Sequence, residues 1–455
     1  MPILALQRPA GFWLLNSDFL EGVPMTEPSP TLDDSANRAL ALFQLLLDDY
    51  HPRDFEISFW DGSEWPAETA SPRFRLIIKH LHALRRMFRN RASDLSISEA
   101  YIRGDLDVEG DLEAAMPLAH HLLGHRWSAP KMLRAGWQLV RIPAGRQSRE
   151  NGRQPIKLQG RVHSAERDRQ AVTYHYNVSN DFYALWLDSR MVYSCGYFET
   201  ADRDLDTAQE CKLDYLCRKL RLRPGERLLD IGCGWGGLIL HAARDYGVDA
   251  LGITLSENQA ALANERIART GLADRCRAEV RDYRALGEGV SFDKIVSVGM
   301  FEHVGESQLP LYFRQAWRLL RPGGVFLNHG IARRATDPEP AGPTFISRYV
   351  FPDGDLVSIG VALGYAEEAG FEVRDLESLR EHYALTLRHW ARRLELHREQ
   401  ALQVVDLATY RVWRLFLSGS AYAFATGPLN IYQTLLLKPD QGRSGLPLTR
   451  ADWYR

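Results

Sequence analysis

Cysteine is scarce in this 455-residue chain, and its five copies, Cys195, Cys211, Cys217, Cys233 and Cys276, never fall in a paired Cys-x-x-Cys spacing. That absence argues against a structural zinc or a disulfide scaffold and predicts a reduced, cytoplasmic protein without a metal centre. Long apolar runs are missing too, for no stretch approaches the roughly 20 residues that span a bilayer. The apolar residues near the N-terminus are broken by Gln7, Arg8, Pro9 and Gly11 and lack the basic start of a secretory leader, so 1–34 is read as a tail. No excess of one charge is present: the formal total is −2, which argues against nucleic acid as the main partner. At 45% hydrophobic and 25% charged residues the chain is globular, and its length allows more than one domain.

What is present divides along the chain. Arg38–Leu47 has helical spacing, Phe55–Trp60 alternates like a strand before the Asp61-Gly62 turn signal, and Arg75–Phe88 reads as a second helix. A small α+β domain over 35–125 is expected, with lipid binding as one role for it. Residues 126–170 form a basic linker: eleven Lys and Arg face three acids, a local net of +8. Within it Met132, Leu133, Gly136, Trp137 and Val140 share one helical face, and Lys131, Arg134, Gln138 and Arg141 another. Such a helix suits an anionic phospholipid membrane surface, and a solvated linker is the plainer alternative. From 171 to 455, strand candidates at 227–231, 249–254, 275–280, 294–298 and 324–328 alternate with helices such as 238–246, 257–269 and 308–320. The pattern predicts a mostly parallel, doubly wound α/β sheet, with 430–438 added antiparallel at its edge.

One segment carries most of the functional information. Leu228-Leu229-Asp230-Ile231-Gly232-Cys233-Gly234-Trp235-Gly236-Gly237 reads as a buried strand, a glycine turn and the start of a helix, an arrangement that seats an anionic cofactor group. The spacing also fits a dinucleotide fingerprint. A second absence separates the two readings, because the next strand ends in Thr254-Leu255-Ser256-Glu257-Asn258-Gln259 and lacks the acid that holds a nicotinamide cofactor's ribose. Thr254 and Gln259 are the polar groups left for the ligand, while Ser256 and Glu257 suit a helix cap. Asp282, Glu302, His303 and His329 stand at or after strand ends, with Tyr193, Ser194 and Cys195 just before the sheet. Ligands bind above that end of such a sheet.

Tyr193-Ser194-Cys195, the glycine turn, Thr254 with Gln259, Gly299-Met300-Phe301-Glu302-His303-Val304-Gly305, His329 and Arg348-Tyr349-Val350-Phe351-Pro352 together resemble the cyclopropane-fatty-acyl-phospholipid synthases and the related mycolic acid cyclopropane synthases. The resemblance covers roughly 35–440 and is densest from Tyr174 to Gly354. It implies a Rossmann-like class I methyltransferase sheet. It further implies that Tyr193, Ser194, Asp230, Gly232, Gly234, Gly236, Thr254, Gln259, Asp282 and Tyr283 hold S-adenosylmethionine, and that Cys195, Glu302, His329 and Tyr349 surround a bound bicarbonate.

The implied reaction moves a methylene to the cis double bond of an unsaturated phospholipid acyl chain. An alkene is a weak nucleophile, and the carbocation it forms needs a dry, aromatic pocket, for which Phe182, Tyr183, Trp186 and Phe198 are candidates. Bicarbonate, as base, would remove a proton from the added methyl. Two departures from the family pattern bear on substrate shape: His175-Tyr176-Asn177-Val178-Ser179-Asn180-Asp181-Phe182-Tyr183, and Ser420 where many members have cysteine. The implied location is the inner face of the cytoplasmic membrane, peripherally bound, and a homodimer is compatible with the sequence. Alternatives are a methyl-branched lipid product, methylation of a small amine, an inactive lipid-binding protein and, least favoured, a nicotinamide oxidoreductase.

Overall fold

The computed structural model describes residues 32–454 apart from 81, 89–92, 125–126, 142–157, 177, 288 and 338–341. The expected tail up to 31 and the middle of the basic linker therefore lie outside the described residues.

The first unit opens with the helix Leu32–Leu46 and builds a four-stranded sheet from β1 (Phe55–Ser58), β2 (Glu64–Trp65), β3 (Phe74–Ile78) and β4 (Leu106–Gly110), in the order β2-β1-β3-β4. Alternation explains it: Phe55, Ile57, Phe74, Leu76, Ile78, Leu106 and Val108 face a core that also holds Leu42, Phe43 and Leu46. The helix expected from Arg75 is corrected here. Only Ala83–Phe88 is helical, because Phe74, Leu76 and Ile78 bury in a period of two beside β1 and Phe74 stacks on Phe55 at 4.8 Å.

The second sheet contains β5 (Arg227–Ile231), β6 (Asp249–Thr254), β7 (Cys276–Val280), β8 (Phe292–Val298), β9 (Leu320–Arg333), β10 (Glu372–Ser378) and β11 (Leu429–Leu437), in the order β10-β11-β9-β8-β5-β6-β7. Strands β5 to β9 run parallel, and β11 is antiparallel to both of its neighbours. The late strand is therefore not at the edge. β10 takes that place, and its four charged residues in seven hid it from a hydrophobic reading while suiting an edge strand. The chain reverses direction across the sheet between β5 and β8, and the crevice above their carboxyl ends is where a ligand fits.

One helix packs against both units. Leu407–Thr426 contributes Phe416 and Leu417 to the core of the second unit while Leu415 and Tyr422 pack against that of the first. From the same helix the Arg414 guanidinium donates to Tyr101 Oη and Val108 O, both at 2.9 Å, and Arg411 pairs with Asp107 at 2.9 Å. The linker helix spans Ala129–Arg141, but its faces differ from expectation. Gly136 and Ala135 are buried against the first unit, whereas Leu133, Trp137 and Val140 point outward.

Candidate active site

The glycine turn is tied down by its neighbour strand, for the backbone N–H groups of Gly232 and Cys233 both donate to Ile253 O, at 2.9 and 3.0 Å. Gly232 adopts φ +91°, and a Cβ there would lie 2.8 Å from Met300 Cβ, so both backbone shape and space demand glycine. Beside the turn opens a cavity of about 1130 Å³, its mouth included. Its walls take in Tyr193, Ser194, Asp230, Gly232, Gly234, Thr254, Gln259, Asp282 and Tyr283. Gly236 does not join them. It sits at φ +81° ahead of the helix Gly237–Tyr246, and a Cβ would come within 3.0 Å of Ala263 Cβ, so its role is helix packing.

The polar groups of this cavity are arranged for a zwitterionic ligand. Asp230 Oδ1 is buried without a hydrogen-bond partner, and burial raises its carboxyl to about 7. Lys212, which the sequence reading missed because it lies mid-helix in Leu205–Leu220, extends to the same wall, and its Nζ donates to Ser194 Oγ at 2.9 Å. Burial lowers that ammonium to about 8. Thr254 Oγ1 donates to Gln259 Oε1 at 2.7 Å, and Ser256 caps the following helix as its spacing suggests. Asp282 is engaged by Arg284, which also grips Asp168 at 2.9 Å and so fixes the helix Ala165–Tyr176 along one side of the cavity. Asn180, in the segment that departs from the family pattern, accepts from Trp235 Nε1 at 2.8 Å and braces the turn.

A second, narrower cavity of about 770 Å³, its mouth included, adjoins the first, sharing Tyr176, Tyr193, Ser194, Gly299 and His303 as a common wall. Its remaining lining is mostly apolar and aromatic, with Phe351, Tyr383, Phe416 and Phe424 among it. The aromatics expected to surround a carbocation are corrected accordingly: Phe182, Tyr183, Trp186 and Phe198 pack in the core and do not line this chamber. Ser420 does line it.

Glu302 is the carboxylate of this chamber. Its Oε1 accepts from the Ile331 backbone N–H at 2.7 Å, its Oε2 is buried with no partner, and burial raises the group to about 7. His329 lies fully buried in register with Val298 on β8 and Gln433 on β11 and lines neither cavity. Gln433 Nε2 stands 3.4 Å from His329 Nδ1, an arrangement that leaves the ring proton on Nε2, which has no partner. Burial holds this imidazole neutral, as it does His303, whose value falls to about 4. Cys195, expected beside the bicarbonate, is likewise fully buried and lines neither cavity, with its thiol pushed upward by desolvation.

Tyr349 is the clear correction. Its hydroxyl donates to Glu99 Oε1 at 3.1 Å, on the side facing the first unit, and it lines neither cavity. Tyr383 stands in the chamber instead, within electrostatic reach of both Cys195 and Glu302. No motif marked it, since it sits on the helix Arg380–Leu396 after the missed strand β10.

The family model for mycolic acid cyclopropane synthetase matches residues 163–434, more than half of the chain. The chain belongs to this family. A second model, for a domain of unknown function, matches 42–122. A probable fatty acid methyltransferase of Pseudomonas putida is 41% identical over 403 residues, covering 88% of this chain and 96% of the relative. The cyclopropane-fatty-acyl-phospholipid synthase of Escherichia coli is 36% identical over 57% of this chain and 66% of its own length. Among solved structures, mycolic acid cyclopropane synthase CmaA1, complexed with SAH and CTAB, superposes with a TM-score of 0.56 at 35% identity, covering 59% of this chain and 97% of that one. The enzyme is thus an S-adenosylmethionine-dependent methyltransferase of the cyclopropane synthase type, and the first cavity fits its cofactor: an orphaned carboxylate suits an ammonium and a buried lysine suits a carboxylate.

Proposed function

We propose that the enzyme converts a cis double bond in a phospholipid acyl chain to a cyclopropane, with bicarbonate held beside Glu302 as the base. The observation that carries this reading is the apolar chamber sharing a wall with the cofactor cavity and offering one carboxylate with a free oxygen. The cofactor supplies an electrophilic methyl group. The chain supplies shelter: Tyr176, Tyr193, Phe351 and Tyr383 present ring faces and edges to the alkene and exclude water that would capture a cation. As the methyl carbon bonds to one alkene carbon, its bond to sulfur breaks and the other alkene carbon becomes electron-deficient. A proton then leaves the new methyl, and its C–H electrons close the ring. Near neutral pH Glu302 is protonated part of the time and can donate from Oε2 to an anion, which carries that proton away. The Tyr383 hydroxyl is the further donor we assign to the same anion.

The test uses purified enzyme, labelled S-adenosylmethionine and vesicles of cis-unsaturated phospholipid, in buffer stripped of carbon dioxide and then replenished. An acyl chain heavier by one CH2, resistant to ozonolysis, formed faster on adding bicarbonate, supports the proposal. An added CH2 with the double bond kept points to a methyl-branched product. No transfer to lipid overturns both.

A further inference from the structure

We propose that the outer stripe of the helix Ala129–Arg141 seats the enzyme on an anionic phospholipid bilayer. This rests on the reading above that a phospholipid acyl chain is the substrate. Leu133, Trp137 and Val140 recur at helical spacing and are 70%, 55% and 42% exposed, the largest apolar cluster turned outward on any one helix of the described residues. The inner stripe of the same helix is already satisfied, with Ala135 buried and Leu139 packed against the first unit's core. Folding therefore leaves the outward stripe without a protein partner among the described residues.

Charge decides which partner fits. The helix carries Lys131, Arg134 and Arg141 and no acid, in a stretch whose net of +8 stands out from a chain of −2. Lys131 is neutralised by Asp48, which lies on the inner side, so Arg134 and Arg141, beside the apolar stripe, are the helix's cations without an acidic partner among the described residues. The Arg141 guanidinium lies 3.4 Å from the centre of the Trp137 ring. An indole with an arginine folded over it presents an apolar body and a cationic head together, the combination that settles at the boundary of acyl chains and phosphates. A second copy of the chain would meet its own cations across a twofold axis, a like-charge contact that disfavours self-association at this face.

The experiment measures sedimentation of the full-length enzyme with phosphatidylglycerol vesicles and with phosphatidylcholine vesicles. Preference for the anionic vesicles, weakening with salt, is expected. Arg134→Gln with Arg141→Gln should lower partitioning roughly tenfold or more, and Leu133→Ala with Trp137→Ala by a similar factor. Methyl transfer to detergent-dispersed phospholipid should be unchanged in both variants, which shows that they fold. Equal binding by wild type and variants, or conversion of a wild-type dimer to a monomer by the Trp137 variant in light scattering with vesicle binding intact, overturns the proposal. If detergent-dispersed lipid is never methylated but anionic vesicles are still bound through this stripe, the substrate reading fails while the docking surface stands.

Discussion

Replacing Glu302 with glutamine should make the enzyme slower and, above neutral pH, more stable. The carboxyl group is moved by burial from an ordinary 4.5 to about 7, and at about 1.4 kcal/mol per pH unit that displacement is worth about 3 kcal/mol. The sign follows from proton counting. Between these two values the folded protein keeps a proton that the unfolded chain has released, so stability falls as pH rises through the window and is lowest above 7. Glutamine cannot ionise, so the variant escapes this loss, and Asp230 contributes equally to both proteins and cancels. Denaturant midpoints of wild type and Glu302→Gln should therefore coincide near about pH 4 and separate progressively, reaching at most about 3 kcal/mol in the variant's favour near about pH 8. Turnover should fall roughly 100- to 1000-fold while cofactor affinity, measured by calorimetry, stays within about twofold, because Glu302 is absent from the cofactor cavity wall. A stability difference that does not vary with pH would refute the buried-carboxyl argument, and loss of cofactor affinity would refute the assignment of Glu302 to the second chamber.

Tyr383→Phe should cut turnover at least tenfold with cofactor binding intact, whereas Tyr349→Phe should leave turnover near wild type and cost about 1 kcal/mol in thermal or urea unfolding through its lost bond to Glu99. Gly236→Ala forces a side chain into φ +81° against Ala263 and should destabilise the protein by about 1–3 kcal/mol in urea titrations, with a smaller effect on cofactor affinity. Lys212→Met should weaken cofactor binding about tenfold or more by calorimetry, since it removes the cation facing Ser194.

The sheet was legible where burial is two-sided, for β5, β6, β8 and β9 each contain a short, mostly apolar run. β10 was not, because a one-sided, charged edge carries no such run. The cofactor wall was legible for the same reason as the sheet: Gly232, Gly234, Thr254 and Gln259 sit at fixed offsets from strand ends. Glu302 shared that advantage. Tyr349 was misplaced because sequence order says nothing about which face of a short helix looks inward, and Phe351, two residues on, is the member of that motif that reaches the chamber. Tyr383 and Lys212 stand on long helices where a tyrosine or lysine is unremarkable until the helix is docked.

The helix Leu407–Thr426 has one more consequence. Because it furnishes Phe416, Ser420 and Phe424 to the chamber and Arg411 and Arg414 to the seam with the first unit, trimming the gene to the segment shared with shorter cousins would not release a self-sufficient catalyst. The amputated seam would strip Arg411 of Asp107 and leave Arg414 with Glu395 alone, directly behind the surface that shapes the hydrocarbon slot, and the scar would be felt on the reacting side of the very same rod.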